Sequence, residues 1–226
     1  MRNMWMDEGE VRTTVPVEKI HEAELWREAT IASPLPLALA AFAVATFAAG
    51  LAAATGAPLL GVIPIVVMFG GITLWVMALF SLRKGSTLAS TFAGIVGSYN
   101  IVWPIYYVYA TTFAPAGVLA NIATGMAVFL FLTAFIVFYL FLCAMRANVA
   151  FSLVILTLFL SLLATGLGLL AASPALVAIG GWLSVISAII AFYTSFAIIW
   201  NSAAHREQLP LVSERRRVYE EARTEA

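Results

Sequence analysis

Acidic residues are missing from the whole middle of the chain, and none lies between Glu28 and Glu207. Basic residues avoid most of the same stretch, because apart from the two ends of the chain they occur only at Arg83, Lys84 and Arg146. Only 11% of all residues are charged and 62% are hydrophobic, whereas soluble domains carry about 25% charged residues. This pattern predicts a protein whose central region lies in a lipid bilayer.

Pro, Gly, polar and basic residues divide the region 31–202 into six apolar segments. Each segment is long enough to cross a bilayer as an α-helix, which takes about 20 residues. The predicted spans are Ile31–Ala54, Pro58–Leu82, Thr87–Thr111, Gly117–Met145, Asn148–Ala172 and Pro174–Asn201. The predicted fold class is therefore all-α, a polytopic bundle of six transmembrane helices over 31–202. An amphiphilic cytoplasmic segment precedes it at 1–30, and a cytoplasmic tail follows at 203–226.

The basic residues predict the orientation of the spans, since basic residues near the ends of spans mark cytoplasmic loops. The connections around Arg83 and Arg146 are basic, as are both ends of the chain, while the other three connections carry no charge. We therefore expect both termini in the cytoplasm. Residues 1–30 do not have the order of a cleaved signal peptide, which is a basic stretch followed by an apolar core, so we expect none.

Side chains that could carry catalysis or bind metal are missing from the predicted spans. Pumps and proton relays place Asp, Glu, His, Lys or Arg inside the bilayer, and a serine hydrolase needs a base beside its nucleophile. Here such residues occur only near span ends, and both His21 and His205 fall on the predicted cytoplasmic side. We expect a protein that is not an enzyme, has no cofactor or metal, and binds no nucleic acid.

The polar groups that remain within the spans are hydroxyls and amides, and they admit two interpretations. They could bind a small polar or anionic solute weakly, as a conducting pathway requires, or they could hydrogen-bond between helices. A Thr hydroxyl can be satisfied by the carbonyl one turn earlier in its own helix. An Asn amide has more donors and acceptors than the local backbone can pair. Thr91 and Asn100 are our candidates for a pathway.

The first span opens with Ser33-Pro34-Leu35-Pro36-Leu37. The sequence predicts Ser33 as the N-cap and Pro34 at the first helical position, where a missing N–H costs nothing. The positive end of the helix dipole favours a carboxylate at such a place, although two prolines remove two of the free amides. Capping alone also explains the motif.

Two further groups of residues form an ordered set with this opening, which continues to Leu39 and is followed by Phe42. The second group is Gly70–Ile72 with Arg83–Thr87 and Gly97–Tyr99, and the third is Asn201 with Arg206–Leu211. Taken in order they resemble the Asn-Pro-Ala-Pro-Leu-Gly-Leu signature, the second and third spans with their basic loop, and the C-terminal border of the acetate uptake transporter family. That family includes the bacterial succinate/acetate permeases and is also called the YaaH family.

The resemblance implies a homohexamer in the inner (plasma) membrane, with lipid around it and one pathway per protomer. It implies passage of acetate or a related small carboxylate, with succinate as a further substrate. It also implies an apolar constriction, whose positions here are Phe42, Val96 and Leu156. The family has Tyr where this chain has Val96, so the constriction is expected to be wider. Other positions depart from the pattern as well: Ser33 replaces an Asn, Leu74 a Gln and Ser81 a Glu.

The leading hypothesis is a passive or weakly coupled channel-like transporter for small monocarboxylates, with its cytoplasmic mouth near the start of the first span. Its candidate pathway residues are Ser33, Pro34, Pro36, Leu37, Phe42, Thr91, Val96, Asn100 and Leu156. The alternative is a non-transporting membrane assembly or anchor protein, whose exchanged polar groups reflect a closed path. A channel for a small neutral solute also fits the exchange of polar for apolar residues.

Overall fold

The structure, a computed structural model, describes residues 32–146, 148–204 and 208–210. The predicted amphiphilic segment at 1–30 and most of the predicted tail at 203–226 lie outside the described residues. The described part forms six long helices: α1 Leu35–Thr55, α2 Ile63–Arg83, α3 Thr87–Phe113, α4 Leu119–Ala144, α5 Val149–Leu170 and α6 Pro174–Ala203. Each contains a stretch long and apolar enough to cross a membrane. The prediction of an all-α bundle with six transmembrane helices is confirmed.

The start of α1 differs from the prediction. Pro34, not Ser33, is the N-cap residue, and no side chain caps this end. The carbonyl oxygen of Pro34 accepts the first helical hydrogen bond, from Ala38 N at 3.0 Å. The prediction that Ser33 caps the helix is wrong, because no side chain accepts a hydrogen bond from the amides of the first turn. The helix begins at Leu35, one residue later than predicted, with Pro36 in its first turn, where a missing N–H is tolerated.

Helix α2 contains an irregular stretch in its middle. Residues Val66–Thr73 form wide π-helical turns, and Thr73 Oγ1 donates to the carbonyl oxygen of Met68, five residues earlier, at 3.0 Å. The turns bring Gly70 against both α1 and α3, because a Cβ built on Gly70 would lie 2.7 Å from Ala45 Cβ and 2.8 Å from Asn100 Cγ. π-Helical turns within α-helices occur frequently at functional sites.

Helices α1 and α6 approach each other through Gly50 and Gly181. A Cβ built on Gly181 would lie 2.7 Å from Gly50 O, so neither position has room for a side chain. Close packing of this kind holds helices together in a bilayer, where lipid tails are as apolar as the side chains and the hydrophobic effect does not drive helices together. A hydrogen bond supports the same pair, because Ser195 Oγ donates to Pro36 O at 2.7 Å. The α1–α6 contact is therefore a fixed wall of the bundle.

A short segment beyond α6 folds back onto the helix through one side chain. Asn201 Nδ2 donates to Leu209 O, and Asn201 Oδ1 accepts from the backbone amides of Gln208 and Leu209, all at 2.9 Å. Trp200 Nε1 donates to Gln208 Oε1 at 2.7 Å. Asn201, which belongs to the border motif recognised in the sequence, thus attaches the described part of the tail to the bundle.

Candidate functional site

A cavity of about 290 Å³ lies inside the bundle, between α1, α3, α4, α5 and α6. Its lining runs from Phe42 to Ala53 on α1, from Val96 to Ala110 on α3 and from Leu158 to Leu169 on α5. These stretches belong to the later parts of helices that share one direction through the bundle. The cavity therefore occupies the half of the bundle next to the three uncharged connections, and its inner end lies near the middle of the helices.

Apolar side chains close this inner end. We call Phe42, Val96 and Leu158 the inner floor, and all three are buried. The Phe42 ring meets the Phe92 ring edge-on with 5.5 Å between centroids, and Phe92 meets Phe151 in the same way at 5.2 Å. Phe92 lies one turn before Val96, and Phe151 lies at the start of α5. The three rings therefore form a contiguous row across α1, α3 and α5, between the cavity and the end with the basic connections.

A polar layer lies one helical turn beyond the inner floor. Thr46 follows Phe42 by four residues and Asn100 follows Val96 by four, so each shares a helix face with its floor residue. Ser161 of α5 and Ser184 of α6 complete the layer, and all four residues line the cavity. We use the name polar layer for Thr46, Asn100, Ser161 and Ser184.

The two serines of the polar layer bond to each other and to the backbone. Ser161 Oγ donates to Gly180 O at 2.8 Å and lies 2.6 Å from Ser184 Oγ. A hydroxyl has one hydrogen to donate, so Ser184 is the donor in the second bond. The Ser184 hydroxyl therefore has no hydrogen left to donate, and only the lone pairs of its oxygen are available to a molecule in the cavity.

Thr46 and Asn100 keep free hydrogen-bonding capacity. Asn100 Nδ2 donates one hydrogen to Val96 O at 2.9 Å. Among the residues that the structure describes, Asn100 Oδ1 and Thr46 Oγ1 have no hydrogen-bond partner, and neither atom is fully enclosed by protein. The two residues are only 3% and 8% exposed, so this exposure is to the cavity that both residues line.

Aromatic side chains form the wall above the polar layer. Tyr99 and Tyr106 of α3 stack on Phe129 of α4, with centroid distances of 5.9 and 6.5 Å. Trp103 lies one turn beyond Asn100 on the same face and also lines the cavity. Within the described part of the chain its indole N–H has no hydrogen-bond partner. The wall is thus apolar in bulk, with a donor near the polar layer.

Charge is absent from this site. The lining residues include no Asp, Glu, Lys, Arg or His. Across residues 32–146, 148–204 and 208–210 there is also no group of three or more His, Cys, Asp or Glu that could hold a metal ion. Whatever the cavity binds is therefore recognised by shape, hydroxyls, an amide and an indole.

The structure brings three of the predicted pathway residues together, since Phe42, Val96 and Asn100 all line the cavity. Leu156 does not line it, and Leu158 takes the place in the inner floor that the resemblance implied for Leu156. Two residues correspond to about 200° of rotation around an α-helix, so the two leucines lie on nearly opposite faces of α5. Leu158, and not Leu156, is therefore the residue of the two that faces this cavity.

The other predicted pathway residues lie away from the cavity. Ser33 and Leu37 are exposed, Pro36 is half-buried and Pro34 is buried, and none of them lines the cavity. Their segment is at the opposite end of α1. Thr91 Oγ1 donates to the carbonyl oxygen four residues earlier at 2.8 Å, and Thr91 is not a lining residue either.

Sequence reasoning did not assign a role to Thr46, Trp103, Ser161 or Ser184. For Thr46 a signal was available, because the spacing from Phe42 equals that from Val96 to Asn100. When two helices run in the same direction and each has an apolar residue followed four positions later by a polar one, the two apolar residues are expected at one level and the two polar residues at the next. The serines carried no such signal, because their role depends on contacts between α5 and α6.

Six membrane-spanning helices around an uncharged internal cavity define a polytopic membrane protein. Residues 19–212 match the model of the GPR1/FUN34/yaaH family, so the chain belongs to this family, and the resemblance seen in the sequence is confirmed. A solved structure described as that of the bacterial acetate channel SatP superimposes with a TM-score of 0.74 at 22% sequence identity. The alignment covers 80% of this chain and 99% of that one, which shows a shared fold. A search of curated proteins found no match.

Proposed function

We propose that the protein is a channel-like transporter for acetate or another small monocarboxylate, with one pathway in each protomer. Membership of the family and the fold shared with a bacterial acetate channel support this proposal. The observation that carries it is the cavity, where Thr46 and Asn100 keep polar atoms without protein partners. These atoms are exposed to the cavity and are not enclosed by protein, so they can bond to a polar solute, and a protein that serves only as an anchor has no use for such groups.

The proposed pathway enters from the uncharged connections and passes through the cavity to the inner floor. Beyond the floor it continues between Phe42, Phe92 and Phe151 towards the basic connections. Edge-to-face ring contacts contribute about 0.5–1.5 kcal/mol each beyond their area burial. Rotation of these rings is therefore an accessible way to open the inner half, and the rings act as the gate in this proposal.

The composition of the lining supports a small, singly charged or neutral substrate. A cavity without charged groups excludes inorganic cations, because nothing in it replaces their hydration. Val96 leaves more space in the floor than the Tyr of the resembled family, so monocarboxylates larger than acetate fit as well. Succinate, with two carboxyl groups to desolvate, is expected to pass more slowly.

Assembly and orientation belong to the same proposal. The resemblance implies a homohexamer in the inner membrane, and the basic connections favour cytoplasmic termini. Large apolar side chains cover the outside of the described helices, such as Phe135 and Leu132 of α4, which are 68% and 63% exposed. This surface suits contact with lipid and with neighbouring protomers.

Tracer exchange in proteoliposomes tests the proposal. Vesicles loaded with unlabelled acetate take up labelled acetate from outside, and protein-free vesicles measure the passive leak of acetic acid. We expect exchange well above the leak for the native protein. Asn100→Leu is expected to lower it about tenfold or more. The control Ser98→Ala, on the same helix, is expected to leave it unchanged, because Ser98 Oγ donates to Gly94 O at 2.9 Å and does not line the cavity.

Exchange no faster than the leak, from correctly inserted and assembled protein, would contradict the transport proposal and favour the anchor alternative. If Asn100→Leu instead exchanged normally but dissociated the oligomer, the amide would be an interhelical contact. The assay includes propionate and acetamide, which separate a monocarboxylate pathway from one for neutral solutes in general.

A further inference from the structure

The hydrogen-bond donors of the cavity lie mostly towards its inner end. In the polar layer the Thr46 hydroxyl has a hydrogen to donate, and Asn100 Nδ2 has a second hydrogen besides the one given to Val96 O. One turn further out, the Trp103 indole N–H and the Thr165 hydroxyl also lack a hydrogen-bond partner among the described residues, and both residues line the cavity. A carboxylate only accepts hydrogen bonds, so this group of donors suits it.

The outer part of the cavity has a different character. The described residues that line it are apolar apart from two tyrosine hydroxyls, and they include Ala53, Tyr106, Tyr107, Ala110, Leu119 and Leu169. We call the part of the cavity lined by these six residues the outer chamber. Acetate has one methyl group and covers little of such a surface, whereas a longer alkyl chain is removed from water along its whole length.

The length and the volume of the cavity limit the size of such a chain. Ala110 follows Asn100 by ten residues, which is about 15 Å along the helix at about 1.5 Å per residue. An extended chain of eight carbon atoms, with bonds of about 1.5 Å, is shorter than this. The cavity volume is about 290 Å³. A water molecule, which is close to a methylene group in size, takes about 30 Å³, so the cavity holds about ten non-hydrogen atoms, the number in octanoate.

We infer that the cavity binds medium-chain monocarboxylates, of about six to eight carbon atoms by these measures of length and volume. The carboxylate accepts hydrogen bonds from Thr46, Asn100 Nδ2 and Trp103, and the alkyl chain extends outward through the outer chamber between α1, α3 and α5. This inference rests on the proposed function and names the class of its substrate.

Equilibrium dialysis of the purified full-length protein tests the inference. Protein in micelles is dialysed against protein-free micelles of the same detergent, so that partition of the ligand into detergent is equal on both sides. The probes are radiolabelled acetate, butyrate, hexanoate, octanoate and dodecanoate. The measurements are made at pH 8, where carboxylic acids with a pKa near that of Glu, about 4.3, are ionised.

The expected result is an affinity that depends on chain length and has an upper limit. Burial of one methylene group strengthens binding by up to about fourfold. We expect the affinity to rise about two- to fourfold per methylene group from acetate to octanoate. We expect no further rise at dodecanoate, because its chain is too large for the outer chamber.

Three variants separate the contribution of the chain from that of the carboxylate. Ala53→Phe places a ring in the outer chamber and is expected to weaken octanoate binding about tenfold or more, while acetate and butyrate binding stay unchanged. The matched control is Leu51→Phe, because Leu51 is 38% exposed and does not line the cavity. It is expected to keep the native dependence on length. Trp103→Phe removes a donor and is expected to weaken binding of every acid by a similar factor. Circular dichroism checks that helix content is unchanged.

Equal affinities for acetate and octanoate would overturn the inference. So would an affinity that keeps rising to dodecanoate, because this is the behaviour of an open apolar surface. Equal length dependence in Ala53→Phe and Leu51→Phe would also overturn it. In all three cases acetate exchange by the native protein would leave the proposed function intact. Octanoate binding with the expected limit, but without acetate exchange, would support the inference and contradict the transport proposal. Absence of binding by every acid, together with absence of exchange, would overturn both.

Discussion

Replacing Gly181 by Ala is expected to force α1 and α6 apart. The added Cβ would lie 2.5 Å from Ala54 N, 2.7 Å from Gly50 O and 2.9 Å from Ala54 Cα. All three are backbone atoms, so no side chain can rotate away. Non-bonded carbon atoms sit about 3.5–4.0 Å apart, and the helix axes must therefore separate by about 1 Å. Because Gly50 and Gly181 both line the cavity, its wall is displaced as well.

The size of the effect follows from two contributions. Overpacking of this kind costs about 1–3 kcal/mol. The higher helix propensity of Ala offsets about 1 kcal/mol of this loss. The expected result is a net loss of up to about 2 kcal/mol in the free energy of unfolding, which is about 1–3 kcal/mol below that of a Gly→Ala substitution without steric conflict.

Gly94→Ala is the matched control for this substitution. A Cβ at Gly94 would meet only Ala78 Cβ, at 3.8 Å, which is ordinary contact. Helix propensity alone then predicts a gain of up to about 1 kcal/mol. The two variants are compared by titrating mixed micelles with dodecyl sulfate and following helix content by circular dichroism. Equal stability of the two variants would show that α1 and α6 do not meet at Gly181, and would refute the reasoning.

Two further substitutions probe the inner floor and the tail. Val96→Tyr is expected to slow exchange of butyrate and propionate before that of acetate, because a phenol ring fills the floor. An unchanged order of rates across the three acids would remove Val96 from the pathway. Asn201→Ala removes three hydrogen bonds to the tail, so the amides of Gln208 and Leu209 are expected to exchange with deuterium faster. Unaltered protection of those amides would mean that other contacts hold the segment.

The six helices were predictable because charge, length and breaks in the sequence all point to the same division. The irregular parts were not. The π-helical turns at Val66–Thr73 depend on how Gly70 packs against two neighbouring helices, and no local pattern encodes that packing. Leu156 was placed at the constriction by alignment with the resembled family, and the pattern of α5 itself was not used. Ser161 and Thr165 follow Leu158 by three and seven residues, so they share a face with Leu158 and not with Leu156.

The site could be predicted from the sequence only where a side chain has more hydrogen-bonding groups than its own helix can pair. Asn100 was identified because a side-chain amide has more donors and acceptors than its own helix can pair, and in the structure it lines the cavity. Thr91 was selected on weaker grounds, and it bonds to its own helix as most hydroxyls do. Thr46 departs from this pattern, since its oxygen has no hydrogen-bond partner within the described residues, and Thr165, which also lines the cavity, has none there either. The spacing from Phe42 to Thr46 indicates a layer, but the missing bond becomes visible only in the packed structure.

The positions at which the chain departs from the resembled family decide between a pathway and a closed bundle. Ser33, Leu74 and Ser81 replace polar residues of the family pattern, and this loss made the anchor alternative credible. None of the three lines the cavity. Ser33 is exposed, Leu74 is fully buried, and Ser81 Oγ is enclosed without a partner among the described residues. These exchanges therefore change the packing of α2 and the start of α1. The polar layer retains its free oxygens, so the exchanges give no reason to regard the cavity as closed to solutes.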